Sequence, residues 1–364
     1  MEIKTLNLIQ FRNYEKQSFH FHPLVNIIIG DNAQGKTNIL EAIYLLSTTR
    51  SFKSRMLDEM IMFDQSYTRV SGHIVNGTRP YDLKVVVSKE GKKAFINDKA
   101  VSKTSDYLGY FNVILFTPQD LQLIKGSPKM RRTLIDTEIS KISPIYMFNL
   151  NKYNKLMKER NKYLKMLHDG HKEPDMYLEV LSEEMAELEE DLIQRRMKFI
   201  ELLNEISNQM YAYISGKEKL VLRYHTQFKD ISKEGILDKY KKNYKRDIFQ
   251  GTTVDGVHKD DLKIFLDEND AGMFASQGQQ RSIILSMKIA LVEIVKMQIG
   301  EYPVLLLDDV LSELDEERKM KLLNLIDHKV QTFITTTHFD LGYHQSLDDA
   351  LVLRIEKGTL KEDK

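Results

Sequence analysis

The sequence predicts an α/β fold with mixed sheets and an inserted antiparallel helical arm, on three observations. A hydrophobic run leads into "GDNAQGKT" (30–37), and an apolar-periodic run follows it. A second apolar run, "VLLLDD" (304–309), ends in two acids nearly a whole chain later. Between them, from about 144 to 215, apolar residues step by three and four.

The elements follow in order. "IKTLNLIQF", "QSFHFH" and "LVNIIIG" alternate like paired strands within residues 1–30. "TRVSGHIV", "YDLKVVVSK" and "KKAFIND" read as a meander over 68–97, with Asn76-Gly77 and Glu90-Gly91 as turns. "VILF" (113–116) is a further buried strand. Leu150, Tyr153, Met157, Arg160, Leu164 and Leu167 lie on one helical face; after "HDGHKEPD" the stepping resumes from Leu178 to Ile206. This is an antiparallel helical arm or, on the same periodicity, two ordinary helices of a bundle. "SIILSMKIALVEIVKMQ" (282–298) is a helix, and "VLLLDD", "TFITTT" and "ALVLRIE" are short buried strands. The expected division places 1–140 with 302–364 in one lobe and 141–301, with the arm, in a second.

Composition narrows the function. The 364 residues suffice for one large or two moderate domains. Lys+Arg and Asp+Glu both count 53, so any polyanion must be met by a local patch and not by global charge. The absence of Cys excludes disulfides and thiolate metal sites. "MEIKTLNLIQFRNY" is unlike a signal peptide, and the apolar runs fall short of a membrane span. A cytoplasmic protein with no membrane partner is expected.

Gly30, Gly35, Lys36 and Thr37 fit G-x-x-x-x-G-K-[ST], with Asp31, Asn32, Ala33 and Gln34 as the body of the loop. Glycines let the backbone wrap an anion, Lys36 places a cation toward the β- and γ-phosphates, and the Thr37 hydroxyl suits Mg²⁺. The helix that follows points its positive end at the phosphates. ATP and Mg²⁺ are the expected ligands. Asp308 would hold the metal, and Asp309 would orient or deprotonate the attacking water. Their distance from Lys36 in sequence implies a nucleotide-binding sheet split by a large insertion.

"FASQGQQRSIIL" places Ser276 at an N-cap position, with Gly278 and Gln279 opening a helix. Alone this is a capped helix start. In the order loop, signature, acidic strand it resembles the signature of ABC-type ATPases, which implies contact with ATP held by a second subunit. The same resemblance makes "SELD" (312–315) the D-loop, His338 the switch histidine and Gln119 the glutamine that senses metal and nucleophile.

More closely, the chain resembles the RecF recombination mediators, relatives of the SMC-type chromosome ATPases, essentially from end to end. The resemblance is carried by "FRNY" (11–14), "GDNAQGKTNILEAI" (30–43), "SFK" (51–53), "GSPKMRRTLID" (126–136), "RDI" with "GTTVDGVHKDDL" (246–262), "ASQGQQR" (275–281) and "LLLDDVLSELD" (305–315). Val257 and Lys259 stand where Pro and Arg are expected, and Gln119 where an acid is common. The resemblance implies a weak ATPase of DNA repair, replication and the SOS response. It implies an ATP-dependent homodimer that binds DNA, works with RecR and helps load RecA at gaps. It also places Arg12 and Asn13 near the nucleotide.

The residues themselves support DNA binding less directly. Candidate patches are "RSFKSR" (50–55), "KMRR" (129–132) and "KYKKNYKR" (239–246), the last with Tyr240 and Tyr244 to stack on bases or, alternatively, to face a core. No helix-turn-helix or zinc pattern is visible. The competing readings are the ATPase subunit of a membrane transporter and a nucleotide-binding scaffold without turnover. The inserted arm, the basic clusters and Asp309, where transporter ATPases typically carry Glu, favour a DNA clamp.

Overall fold

The computed structural model describes residues 1–54, 56–171, 176–216, 218–326, 329–337 and 350–361. The chain divides into two compact units, one of residues 1–121, 209–217 and 277–364, the other of 122–208 and 218–276.

The first unit opens with β1 (Glu2–Phe11), β2 (Tyr14–His20), β3 (Val25–Ile29), α1 (Lys36–Thr48), β4 (Tyr67–Asn76), β5 (Arg79–Ser88), β6 (Gly91–Ile96), β7 (Lys99–Val101) and β8 (Val113–Phe116). The second unit contains α2 (Gln122–Lys125), α3 (Pro128–Ile142), α4 (Pro144–His168) and most of α5 (Met176–Ile214). It continues with β9 (Leu220–His225), α6 (Lys233–Gln250), β10 (Asp261–Leu266), β11 (Asn269–Asp270) and α7 (Ala271–Phe274). The chain returns to the first unit with α8 (Gln277–Ile299), β12 (Val304–Asp308), α9 (Glu316–Ile326), β13 (Thr332–Thr336), β14 (Leu351–Glu356) and β15 (Thr359–Lys361).

Two six-stranded sheets build the first unit. One is antiparallel, in the order β2-β1-β4-β5-β6-β7; the other runs β15-β14-β3-β13-β12-β8 and is parallel except for β15. All five residues of β12, VLLLD, are buried, the continuous apolar run of a parallel strand covered on both faces. Helix α1 meets β4 and β5 of one sheet and β8, β12 and β13 of the other. Its Ile39, Leu40, Ala42, Ile43, Leu45 and Leu46 are fully buried, so it is apolar nearly all round. The lobe boundaries expected near 140 and 301 fall instead at 121/122 and 276/277. Helix α8 belongs with the parallel sheet, because its buried Lys288 donates to the Leu115 carbonyl at 2.7 Å and pairs with Asp120 at 2.9 Å. Helix α3 belongs to the second unit, because Arg131 grips Asp261 with two hydrogen bonds of 2.7 and 3.0 Å.

In the second unit α4 and α5 are antiparallel. Asn149 bonds Asp191, Lys152 pairs with Glu184, Arg160 bonds Ser182 and Tyr163 stacks edge-on against Tyr177, so residue numbers rise on one helix as they fall on the other. Helix α6 packs beside them, with Tyr244 and Ile248 against Tyr163, Leu164, Leu167 and Leu178. The helices of the arm are thus part of a small bundle, the second of the two readings that periodicity in residues 144–215 left open.

The bundle encloses a polar core in which Tyr153, Arg160, Glu189, Arg196, Tyr240 and Asp247 of α4, α5 and α6 meet Asp136 of "GSPKMRRTLID" and Thr253 and His258 of "GTTVDGVHKDDL". Arg160 pairs with Asp247 at 2.8 Å, both 1% exposed, and Arg196 with Asp136 at 2.8 Å. Such pairs must recover the cost of leaving water through geometry and further hydrogen bonds. Fully buried Glu189 accepts from the Tyr240 hydroxyl at 2.7 Å and from the Val257 amide at 3.0 Å, and it is hydrogen-bonded to Tyr153. Tyr153 Oη lies 2.8 Å from His258 Nδ1, and His258 Nε2 lies 3.2 Å from the Thr253 carbonyl. Only glycine fits at 256: φ is +147°, and a Cβ would meet Glu189, His258 and Tyr153 at 2.7–2.8 Å.

The chain from Thr253 through His258 and Tyr153 to Glu189 has three contacts, each needing a proton. A neutral imidazole and a phenol supply two, so the third comes from the carboxyl group. Burial accordingly pushes Glu189 up from 4.5 to about 7 and His258 down from 6.5 to about 4. Stability from protonated Glu189 is complete below 4.5 and lost as pH rises through about 7. Stability from neutral His258 is complete above 6.5 and lost as pH falls through about 4. The two oppose each other between pH 4.5 and 6.5. Glu189→Gln leaves the histidine alone, so the thermal midpoint of the variant should fall on acidification through that range more steeply than the parent's. Parallel midpoint-against-pH curves for parent and variant would contradict the proton assignment.

Candidate nucleotide-binding site

A cleft of about 370 Å³ in the first unit is lined by residues 31–38, Lys53, Pro118, Gln119, Asp308, Asp309 and Thr335. This is within the range of small-ligand pockets. Helix α1 starts at Lys36, its N-cap is Gly35, and no side chain caps it. The Asn38 and Ile39 amides donate to the Gly35 carbonyl, and no side chain competes with an anion for the end of the helix, which has the dipole behind it. Gly35 is itself dictated by packing: φ is +116°, and a Cβ would sit 2.8–3.0 Å from the Asn13 amide and the Tyr14 hydroxyl.

The Lys36 ammonium donates to the carbonyls of Gly30 and Asp31. Burial pulls its pKa below the usual lysine value, against the raising effect of Asp309, Asp308 and Asp31. Lys53 donates to Asn38 Oδ1 at 2.8 Å and is likewise lowered, by burial first and against the charge of Glu41. Two lysines therefore face the cleft.

The acids approach from the other end of the chain. Thr37 Oγ1 donates to Asp308 Oδ1 at 2.8 Å, and Thr335 Oγ1 donates to the same oxygen at 2.8 Å. The Asp309 amide donates to Thr335 Oγ1 at 3.0 Å. Asp309 has φ 54°, so the chain leaves the extended form there and the exposed residue borders the cleft. Thr335 thus holds both acids. A hydroxyl beside a carboxylate fits Mg²⁺, which takes one or two protein ligands and completes its octahedron with phosphate oxygens and water. Among the described residues no cluster of three acidic, His or Cys side chains offers an all-protein cage.

The loop residues Asp31–Thr37, Asp308, Asp309 and Gln119 are therefore brought together, with exposed Gln119 on the turn after β8; Gly30 is absent from the lining and its carbonyl accepts from Lys36. Arg12 and Asn13 are not among the residues that line the cleft. Arg12 makes two hydrogen bonds, 2.9 and 2.6 Å, to fully buried Glu41 of α1. Asn13 donates to the Gln34 carbonyl at 3.0 Å and accepts from Asn38 at 2.8 Å. They brace the loop from outside because the bend between β1 and β2 passes behind it. Gly278 and Gln279 in the first turn of α8, and exposed Ser276 just before it, are likewise absent from the lining. Arg281 of α8 lies 3.5 Å from Glu313 in the "SELD" turn. His338 lies outside the described residues.

Sequence reasoning missed Lys53, Thr335 and Glu41. Lys53 stood in "SFK" but was counted toward a DNA patch. Thr335 lies within the strand that pairs with the acidic one, and Glu41 is an acid on the buried side of an apolar helix; both signals become specific only in the fold.

Thr335→Val preserves shape and removes the hydroxyl that both acids share. Hydrogen bonds to charged groups contribute about 1.5–3 kcal/mol. Single-turnover hydrolysis of bound ATP is expected to slow by about tenfold or more, with ATP still bound. An unchanged rate would show that Thr335 does not position the acids.

Residues 2–358 match the family model described as RecF/RecN/SMC N terminal domain. The chain is 42% identical over 370 residues to the DNA replication and repair protein RecF of Halalkalibacterium halodurans, covering 100% of both. It is similar to a solved structure of the recombination mediator protein RecF with ATP in the RecFOR pathway, with TM-score 0.91 and 32% identity over 100% of this chain and 97% of that one. The Smc head domain of Pyrococcus furiosus shares the fold, with TM-score 0.58 and 18% identity over 99% of this chain and 95% of that one.

Proposed function

The chain belongs to the RecF family, and on that premise we propose that it is an ATP-gated DNA-binding protein of DNA replication and repair. The observation that carries the ATP site is the contact between Thr37 and Asp308 in a cleft that also holds Lys36. The loop amides and Lys36 bind the phosphates, and Lys53 adds a second cation opposite the acids. Thr37 and Asp308 hold Mg²⁺, which when bound neutralises charge on the β- and γ-phosphates. Gln119, on the lining of the same cleft, would sense that metal and the attacking water. Asp309 orients or deprotonates the water.

Ser276, Gly278 and Gln279 act on ATP held by a second copy, which agrees with their absence from the lining of their own cleft. ATP then joins two copies, and hydrolysis releases them. His338 completes the γ-phosphate contacts. The protein works in the cytoplasm with RecR and helps load RecA at gaps, and DNA stimulates its hydrolysis. Family membership removes the ground for the transporter-subunit reading. Among the described residues no helix is long and apolar enough to cross a membrane.

Aspartate is one methylene shorter than glutamate, and misplacement by about 1 Å can cost a hundredfold in rate, so slow turnover is expected. Asp309→Asn keeps the shape and loses the base. It should bind Mg-ATP normally, lose most hydrolysis with or without duplex DNA, and form a dimer that outlasts the parent's in sedimentation. Hydrolysis at the parent's rate would remove Asp309 from the reaction. Failure of the parent to hydrolyse ATP at all would favour the scaffold reading.

A further inference from the structure

We propose that the exposed lysine stripe of α4 is a surface that grips the phosphate backbone of duplex DNA; this deepens the DNA-binding reading above and rests on it. Lys155, Lys158, Lys162 and Lys165 recur at steps of three and four along the 25-residue helix and so share one face. All four are exposed, while Leu156, Arg160, Tyr163, Leu164 and Leu167 on the other side are buried.

None of the four makes an ion pair among the described residues. Lysines nearby on the same bundle do: Lys152 with Glu184 at 3.5 Å, Lys233 with Glu187 at 3.4 Å, and Lys239 with Asp255 at 3.2 Å. Glu159, the exposed acid within the span of the stripe, accepts a hydrogen bond from the Tyr177 hydroxyl. Like charges three and four residues apart destabilise a helix, and an external anion relieves that repulsion. From Lys155 to Lys165 the stripe rises ten steps of 1.5 Å, about 15 Å. That length of B-form duplex carries about nine phosphate charges. Helix α6, packed beside α4, adds exposed Lys245 and Arg246, which also lack ion pairs among the described residues.

The patches that sequence suggested are committed in part, with Lys245 and Arg246 left exposed. Arg131 is bound to Asp261, and Arg132 donates to the Asp260 carbonyl at 2.6 Å. Tyr240 is buried on Glu189, and Tyr244 packs into the bundle. Cations therefore face solvent without the aromatic partners that would stack on bases. The surface suits sequence-tolerant, salt-dependent contact with a backbone.

The test uses the full chain with ATP and a duplex, comparing Lys158→Gln/Lys162→Gln/Lys165→Gln with the same three positions changed to Arg. Each lost phosphate contact reduces the slope of log affinity against log salt by about 0.9. The Gln variant should bind duplex at least tenfold more weakly near 0.1 M salt, with a slope shallower by about two to three, and still bind ATP normally. The Arg variant should match the parent. Equal affinity and slope in the Gln variant and the parent would overturn the assignment, as would equal weakening in the Arg variant. Absence of duplex binding by the parent would overturn the DNA-binding reading itself and this surface with it.

Discussion

The hydroxyl of Thr37 and the carboxylate of Asp308 stand 271 positions apart in the chain and meet at 2.8 Å. Nothing local can bring them together. The parallel sheet does so through its register: Ile29 of β3 lies beside Thr336 of β13, and Thr335 beside Asp308 of β12. The loop and the acids therefore emerge at the same edge, beyond the carboxyl ends of the strands, where ligands bind in open α/β sheets. Most of the intervening chain is free to form a unit of its own, provided that it returns the acidic strand to this register.

Charge at that edge is balanced within a small space. Lys36 and Lys53 are both pulled below the usual lysine range by burial, and carboxylates support their charged forms. Polyphosphate with its metal supplies an anion and a cation to a cleft that already holds both signs. Thr335 bonds the Asp308 carboxylate and the Asp309 amide, so a displacement at one acidic residue is felt at the other. Behind the loop, Arg12 on Glu41 and Asn13 on Gln34 limit its movement. A loop restrained on its outer side and open on its inner side is preorganised for binding.

What the sequence made legible was contiguous. The phosphate loop, the acidic strand and the helices of the arm each announce themselves within a dozen or two residues, because glycine demand, strand burial and helical period act locally. The site residues that escaped notice act across the fold. Thr335 matters only because β13 pairs with β12, and Glu41 only because Arg12 arrives from the first hairpin. Lys53 was assigned to DNA because a cation in a basic run carries no mark of the cavity it lines. Tyr240 and Tyr244 were open to two readings until α6 was seen against α4 and α5. The lobe boundaries were misplaced for the same reason: the apolar periodicity of α8 does not say which sheet covers it.

The central claim is that each ATP is bound by the loop of one copy and the signature of another. Mixing two inactive chains, Lys36→Met and Ser276→Arg, tests it most directly. Each alone should fail to pair on ATP and fail to hydrolyse it. A mixed pair holds one intact composite site of two, so mixing should restore hydrolysis to as much as about half the parent rate, together with a dimer in sedimentation. A mixture as inactive as its components, from chains that remain folded, would mean that loop and signature serve the same copy's ATP, contradicting the account.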